Sequence, residues 1–134
     1  MTNFHLADLF VRIKVAYKAR MSFVKVIKNK LIVKFLFLFY KIGLIKSFHI
    51  LSKENNILIY LKYKKNNQPL ILDIGLVSKP SKRVYWNLTM LSKHYRVHSK
   101  SSFYIISTSR GLLTSNEALL QYKISGEVLC KVKI

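Results

Sequence analysis

The residues of this chain that could do chemistry are few and scattered. Its only carboxylate side chains are Asp8, Glu54, Asp73, Glu117 and Glu127, all widely spaced. Paired-carboxylate catalysis and oxygen-ligand cation sites both need a cluster that this spacing does not supply. The single cysteine, Cys130, excludes an intramolecular disulfide and leaves no thiolate cluster for zinc. It alternates with Val128 and Val132 in a strand-like run, where a thiol behaves as a small hydrophobe. His94 and His98 stand i, i+4 apart and could grip a metal from one helix face. No Glu or Cys lies beside them to complete such a site, so the pair reads as solvated or RNA-facing. Asn87-Leu-Thr89 matches a glycosylation sequon that carries no weight without secretion, and Gly43, Gly75, Gly111 and Gly126 form no phosphate loop. No enzyme, cofactor, metal or small-molecule substrate is expected from this set.

The remaining signal is basic residues interleaved with aromatics and small hydroxyls. Lys79, Lys82, Arg83, Tyr85 and Trp86 share one strand-like stretch, and Ser107, Thr108, Ser109 and Arg110 form one short turn. Lysine and arginine neutralise phosphates, hydroxyls and turn amides bond to phosphate and ribose oxygens, and tyrosine or tryptophan can stack on a base. Each feature alone has a plainer explanation, since a basic run is usually a solvated face and a hydroxyl turn usually satisfies its own backbone. The overall charge decides between them. With 24 Lys and Arg against 5 Asp and Glu, the 134 residues carry a formal charge of +19. A folded domain that repels itself this strongly is paired with a polyanion, and RNA is the better match to this residue set.

Folding itself is not in question, because 51% of the residues are hydrophobic and 13% aromatic. Lys, Ile, Phe, Tyr and Asn, whose codons are AT-rich, make up 57 of the 134 residues, a bias expected of an organellar genome. Leu6, Leu9, Phe10, Ile13 and Tyr17 fall at helical spacing and predict a first helix. That segment is also basic and amphipathic like a transit peptide, but it carries Asp8 and runs directly into domain-like sequence; no secretory signal is present. Leu31 to Ile45 is strongly apolar, and a basic protein anchored to a membrane through residues 31–45 is the alternative reading. The segment is short of the about 20 residues a span needs and is interrupted by Lys34 and Lys41, so a buried helix ending at Gly43 is expected.

Beyond Gly43 the apolar period changes to 2. Strands are expected around Phe48–Leu51 and Ile57–Tyr63, joined by the polar turn Ser52–Asn56, with a further strand at Leu70–Ile74 and pairing by Phe23–Ile27. Pro80 places Val77–Trp86 at an edge strand or a loop entering one. Asn87–His98, with Leu88, Leu91 and Tyr95 at helical spacing, reads as a short helix, Arg96–Ser102 as a polar loop, Phe103–Ile106 as a strand, and Ser107–Gly111 as a turn leading into a helix. Thr114 and Glu117 fit a capping box at that helix start, and the helix ends by Ser125-Gly126 before a last strand. The expected class is α+β in two small domains: residues 1–74, ordered α-β-α-β-β, and residues 75–134, mixed β with the capped helix.

Ser107-Thr-Ser-Arg-Gly-Leu-Leu-Thr114, Glu117-Ala118 and Ser125-Gly-Glu-Val-Leu-Cys130 resemble the C-terminal signature of the small-subunit ribosomal protein eight family. Val77-Ser-Lys-Pro-Ser-Lys-Arg-Val-Tyr85 is similar to its Pro-containing basic segment, Leu6–Lys14 to its first helix and Lys30–Ile45 to its second. Ser81, Ser125 and Val15 depart from the family pattern. The resemblance implies an rRNA-binding, non-catalytic protein of the small ribosomal subunit that binds the central domain of the rRNA and aids its assembly. It implies that Ser107, Thr108, Ser109 and Gly111 hold the rRNA backbone or minor groove, that Tyr85 packs on RNA, and that Glu127 orients or contacts the same site. Arg110, Arg83, Lys79 and Lys82 would meet phosphates, and Arg12, Lys14 and Lys30 would add contacts from the N-terminal half. The partners so implied are small-subunit rRNA and neighbouring ribosomal proteins, with no membrane. A mitochondrial ribosome is expected before a plastid one, because divergence outside the motif is large; the lack of a leader points to synthesis inside the organelle.

Overall fold

The computed structural model describes residues 2–79, 81–98 and 102–134, and their side chains apart from those of residues 2–4, 97 and 98. It is mixed α+β and divides into two compact units, the first reaching Ile71 and the second running from Leu72 to Ile134. Pro80 and residues 99–101 of the polar loop expected at Arg96–Ser102 fall outside the described residues, while Arg96–His98 continue the preceding helix and Ser102 opens the following strand.

In the first unit the order is α1 (Thr2–Lys18), β1 (Phe23–Ile27), α2 (Lys30–Ile42), β2 (Ile45–Leu51) and β3 (Asn56–Leu61). The α1 stripe behaves as its spacing predicts: Leu6, Leu9, Phe10, Ile13 and Tyr17 are all buried. Tyr17 keeps its hydroxyl satisfied by donating to the Lys62 carbonyl at 3.1 Å, and burial pushes the phenol up to about 12. Asn29 opens α2 by accepting from the Leu31 N–H at 2.9 Å, the side-chain cap that an exposed helix start needs. Gly43 closes it in the left-handed conformation, φ 93°, and the Gly43 and Leu44 N–H groups both turn back to the Phe39 carbonyl. Ile32, Phe35, Leu36, Leu38 and Phe39 form its buried face, while Lys34 and Lys41 lie outside it. At 13 residues α2 is a core helix, and no helix among the described residues is long and apolar enough to cross a membrane. The strands form one antiparallel sheet in the order β1-β3-β2.

The second unit contains β4 (Asp73–Leu76), β5 (Tyr85–Trp86), α3 (Leu88–His98), β6 (Ser102–Thr108), β7 (Gly111–Thr114), a π-helical turn (Glu117–Tyr122) and β8 (Gly126–Lys133). Its sheet runs β4-β8-β6-β7, and β5 also pairs with β8. Leu91, Tyr104, Ile106, Leu113, Ala118 and Val128 make a buried cluster, with Val77, Val84, Trp86 and Leu119 packed against it.

Four expectations need correction. The strand placed at Leu70–Ile74 begins at Asp73 and pairs with β8, so it completes the second sheet. The turn at Ser107–Gly111 does not lead straight into a helix: Gly111–Thr114 first returns as β7 along β6. The helical turn that follows ends before Ser125-Gly126 as expected; it is π-type, and its cap Lys123 takes a left-handed φ of 52° and donates its N–H to the Ala118 carbonyl. Asn87 is the cap of α3 and no part of the helix, accepting from Met90 N–H at 2.9 Å. Of the three apolar positions read as the stripe of that helix, Leu91 is buried, whereas Leu88 and Tyr95 are exposed.

Candidate nucleic-acid interface

The β6–β7 hairpin carries the hydroxyl turn at its tip. Thr108 pairs with Gly111 across the ladder, leaving Ser109 and Arg110 as the two residues of the bend. The Thr108 hydroxyl is used to build the turn: its oxygen accepts the Arg110 N–H at 3.1 Å and it donates to the Gly111 carbonyl at 2.9 Å. Gly111 sits at φ 97°, a conformation that disfavours any side chain and lets the chain reverse. Thr108 is therefore spent on shape. Ser107 and Ser109 are different: neither hydroxyl bonds to another group among the described residues, and Ser109 is exposed at the tip. Two hydroxyls, each able to donate and accept, are thus held close together, Ser107 near the end of β6 and Ser109 on the bend itself.

Strand β8 aligns the rest of the site. In its register Glu127 pairs with Ser107 of β6 on one side and with Tyr85 of β5 on the other. Directly paired residues of antiparallel strands share a face, so Tyr85, Glu127 and Ser107 form one row across the sheet. Tyr85 is 68% exposed, a ring left open rather than packed. Its neighbour Trp86 does the packing instead, stacked flat on His94 at 4.2 Å with Tyr104 edge-on at 4.7 Å. His94 is thereby part of the aromatic packing under α3, which corrects its reading as a solvated or RNA-facing residue; its relation to the His98 side chain lies outside what is described. The extra residue Leu129, opposed by nothing between Ile105 and Ile106, bulges β8 two residues from Glu127.

Cations surround this row. Arg83 forms an ion pair with Glu127, Nη1 to Oε2 at 3.2 Å, which holds the carboxylate toward the β5 side. Lys79 and Lys82 pair backbone to backbone through bonds of 2.9 and 3.0 Å, and both side chains are exposed. Ser78 anchors that loop, being fully buried and accepting from the Val84 N–H at 2.8 Å. Arg110 lies with its guanidinium carbon 5.3 Å from the centre of the Tyr122 ring. Arg12, Lys14 and Lys30 belong to the first unit: Arg12 is bound to Asp8 at 2.9 Å one helical turn away, Lys14 is exposed on α1, and Lys30 is the exposed first residue of α2. The structure thus gathers Tyr85, Glu127, Ser107, Thr108, Ser109, Arg110, Gly111 and Arg83 around one sheet end and puts these other three in a separate unit.

Two contributors escaped the reading of the sequence. Gly126 comes so near the hairpin that a Cβ built there would lie 2.1 Å from the Ser107 carbonyl oxygen and 3.3 Å from the Thr108 Cα. Its Gly-Glu context is visible in the sequence, but the strand it must approach is not. Tyr122, the ring beneath Arg110, had no local signal. The thiol of Cys130 is fully buried in β8, and burial pushes its pKa well above the ordinary thiol value. It is a packing group, as its alternation predicts.

The family model for Ribosomal protein S8 matches residues 5–133. Small ribosomal subunit protein uS8m of Acanthamoeba castellanii is 39% identical over 127 residues, covering 95% of this chain and 97% of that protein. Small ribosomal subunit protein uS8 of Rickettsia massiliae is 36% identical over 131 residues, covering 96% of each chain, and that of Rickettsia akari is 35% identical over the same length. A match across nearly the whole chain, through both units and the hairpin signature, makes this protein a member of the ribosomal protein S8 family.

Proposed function

We propose that the chain is a structural constituent of the small subunit of a mitochondrial ribosome, where it binds the central domain of the small-subunit rRNA and aids its assembly. The observation that carries this reading is the row Tyr85–Glu127–Ser107, with the uncommitted Ser107 hydroxyl at its end and the uncommitted Ser109 hydroxyl beside it on the hairpin tip. Ser107 and Ser109 would bond to ribose and phosphate oxygens along a minor groove, which in A-form RNA is wide, shallow and lined by 2′-hydroxyls. Tyr85 would pack its open ring on a ribose or a splayed base, and the Glu127 carboxylate would accept from a hydroxyl or amino donor. Arg83, Arg110, Lys79 and Lys82 would neutralise the flanking phosphates, with Arg12, Lys14 and Lys30 adding contacts from the first unit. The chemistry is positioning without catalysis, and the other partners would be neighbouring proteins of the subunit.

Family membership, the charge of +19 and the likeness to uS8m of Acanthamoeba castellanii support this reading, and the AT-rich residue bias supports an organelle. Sedimentation of mitochondrial extract containing the tagged chain tests it. The tag should travel with small ribosomal subunits and leave that fraction after ribonuclease treatment. Recovery with membranes that persists at high salt would favour the anchored alternative instead.

A further inference from the structure

The outward face of the first unit's sheet has a composition that its ladder does not explain. Register places Phe23, Tyr60 and Ser47 in one row, Lys25, Leu58 and His49 in the next, and Ile27, Asn56 and Leu51 in the third. The other face of the same strands bears Val24, Val26, Ile57 and Ile59, all buried on the side that α1 and α2 cover. A solvated face of an antiparallel sheet is ordinarily polar. Here Phe23 is 44% exposed, Ile27 is 51% exposed, and His49 is exposed as well. Tyr60, half-buried between them, touches both rings, with centroids 6.3 Å from Phe23 and 5.7 Å from His49.

We propose that this face is a second RNA site, one that takes single-stranded RNA by stacking a base on Phe23 and another on His49. Tyr60 meets His49 at 89° and Phe23 at 52°, so it braces both rings while leaving their outer faces open. An exposed group of rings calls for a flat apolar ligand, and the surrounding charge selects which one. Residues 22–28 and 45–65 hold seven lysines against one carboxylate, Glu54, which Lys25 already binds at 2.7 Å. That balance suits a phosphate backbone. A duplex keeps its bases stacked on one another, so only an unpaired strand can lay bases on side-chain rings. The ligand class thus differs from that of the hairpin, whose hydroxyls address the backbone of folded RNA, and the site stands on separate residues in a separate unit.

Fluorescence anisotropy of the full chain with a labelled oligouridylate of about ten nucleotides, a usual site size, tests the proposal. Combining Phe23→Ala with His49→Ala should weaken binding at least about 10-fold, because a base stacked on one ring contributes a factor of roughly 5 to 150. The salt dependence should stay as it is, since no lysine is removed. Phe23→Tyr with His49→Tyr, which keeps two stacking faces, should bind within a few-fold of the unmodified chain, and Ser107→Ala with Ser109→Ala should not change oligouridylate binding. An unmodified chain that ignores the oligonucleotide, an alanine pair that binds as well as it does, or a tyrosine pair as weak as the alanine pair would each overturn the proposal. Equal loss in the serine variant would place the strand at the hairpin and overturn it too.

Discussion

Gly126 and Ser107 are packed backbone against backbone: a methyl group on the glycine would lie 2.1 Å from the serine's carbonyl oxygen. That contact sets how closely the hairpin can approach the end of β8, and so sets where the Ser107 and Ser109 hydroxyls stand relative to Glu127. Gly126→Ala should push the hairpin away, costing about 1–3 kcal/mol of stability by overpacking and weakening rRNA binding with it. Gly75→Ala is the control, because a Cβ there meets nothing within 4 Å. Denaturant unfolding and rRNA affinity measured on both variants check this: the expected result is a clear loss in the first and little change in the second.

The buried ionisable groups make stability fall at alkaline pH. Tyr17 ionises at about 12 in the fold, against about 10 in an unfolded chain. Burial likewise keeps the Cys130 thiol protonated in the fold, while an unfolded thiol ionises at about 8.5. Both folded-state values are raised, so unfolding releases protons; the stability is fully present below the unfolded values and is lost as pH rises past each in turn. The urea midpoint should therefore decline from about pH 8.5 and more steeply above about pH 10. Cys130→Ala should flatten the first part of the decline, and Cys130 in the native protein should resist alkylation until the chain unfolds. Rapid alkylation of the native thiol would contradict its placement.

How much of this was legible in the sequence can be seen at particular residues. The end of α2 was, because a Gly after an apolar stripe, followed by Leu44 and Ile45, is a local signal, and Gly43 takes the left-handed conformation it implies. The capping pair was legible as well: Thr114 accepts the Glu117 N–H at 3.2 Å and donates its hydroxyl to the Glu117 carboxylate at 3.4 Å. Strand β4 was misassigned because its partner β8 lies more than fifty residues away, and alternation shows a strand without showing its neighbour. Strand β7 is 4 residues long, too short for alternation to separate it from the helical turn that follows. At the site, residue types and their order were readable, whereas the row Tyr85–Glu127–Ser107 and the close approach of Gly126 exist only once three strands are paired.

The α2 face can be tested by charge and by volume. Lys34 and Lys41 are exposed, so Lys34→Gln and Lys41→Gln should leave cooperative unfolding intact, with changes within about 0.5 kcal/mol. Phe35 is fully buried and lies 6.0 Å, ring to ring, from both Phe10 and Phe39; Phe35→Ala should cost about 3–5 kcal/mol. Thermal or urea unfolding of the variants measures both. A glutamine pair that unfolds without a cooperative transition would show the helix face to be reversed.

The central claim is that the hairpin hydroxyls supply discrimination among RNAs while the lysines supply affinity for any of them. A hydroxyl on a rigid bend satisfies only a matching RNA shape, but an ammonium on a flexible stem accepts any phosphate. The measurement is the ratio of affinities for the central-domain rRNA element and an unrelated structured RNA, taken for two double variants across a salt series. Ser107→Ala with Ser109→Ala should lower the ratio, each lost hydrogen bond costing on the order of 1–3 kcal/mol on the cognate RNA, with the salt slope preserved. Lys79→Gln with Lys82→Gln should weaken both RNAs alike and reduce the log–log salt slope by about 0.7–0.9 for each contact removed. If the serine variant weakens both RNAs equally while the lysine variant erases the ratio, the hairpin is not the specificity element and the account is wrong.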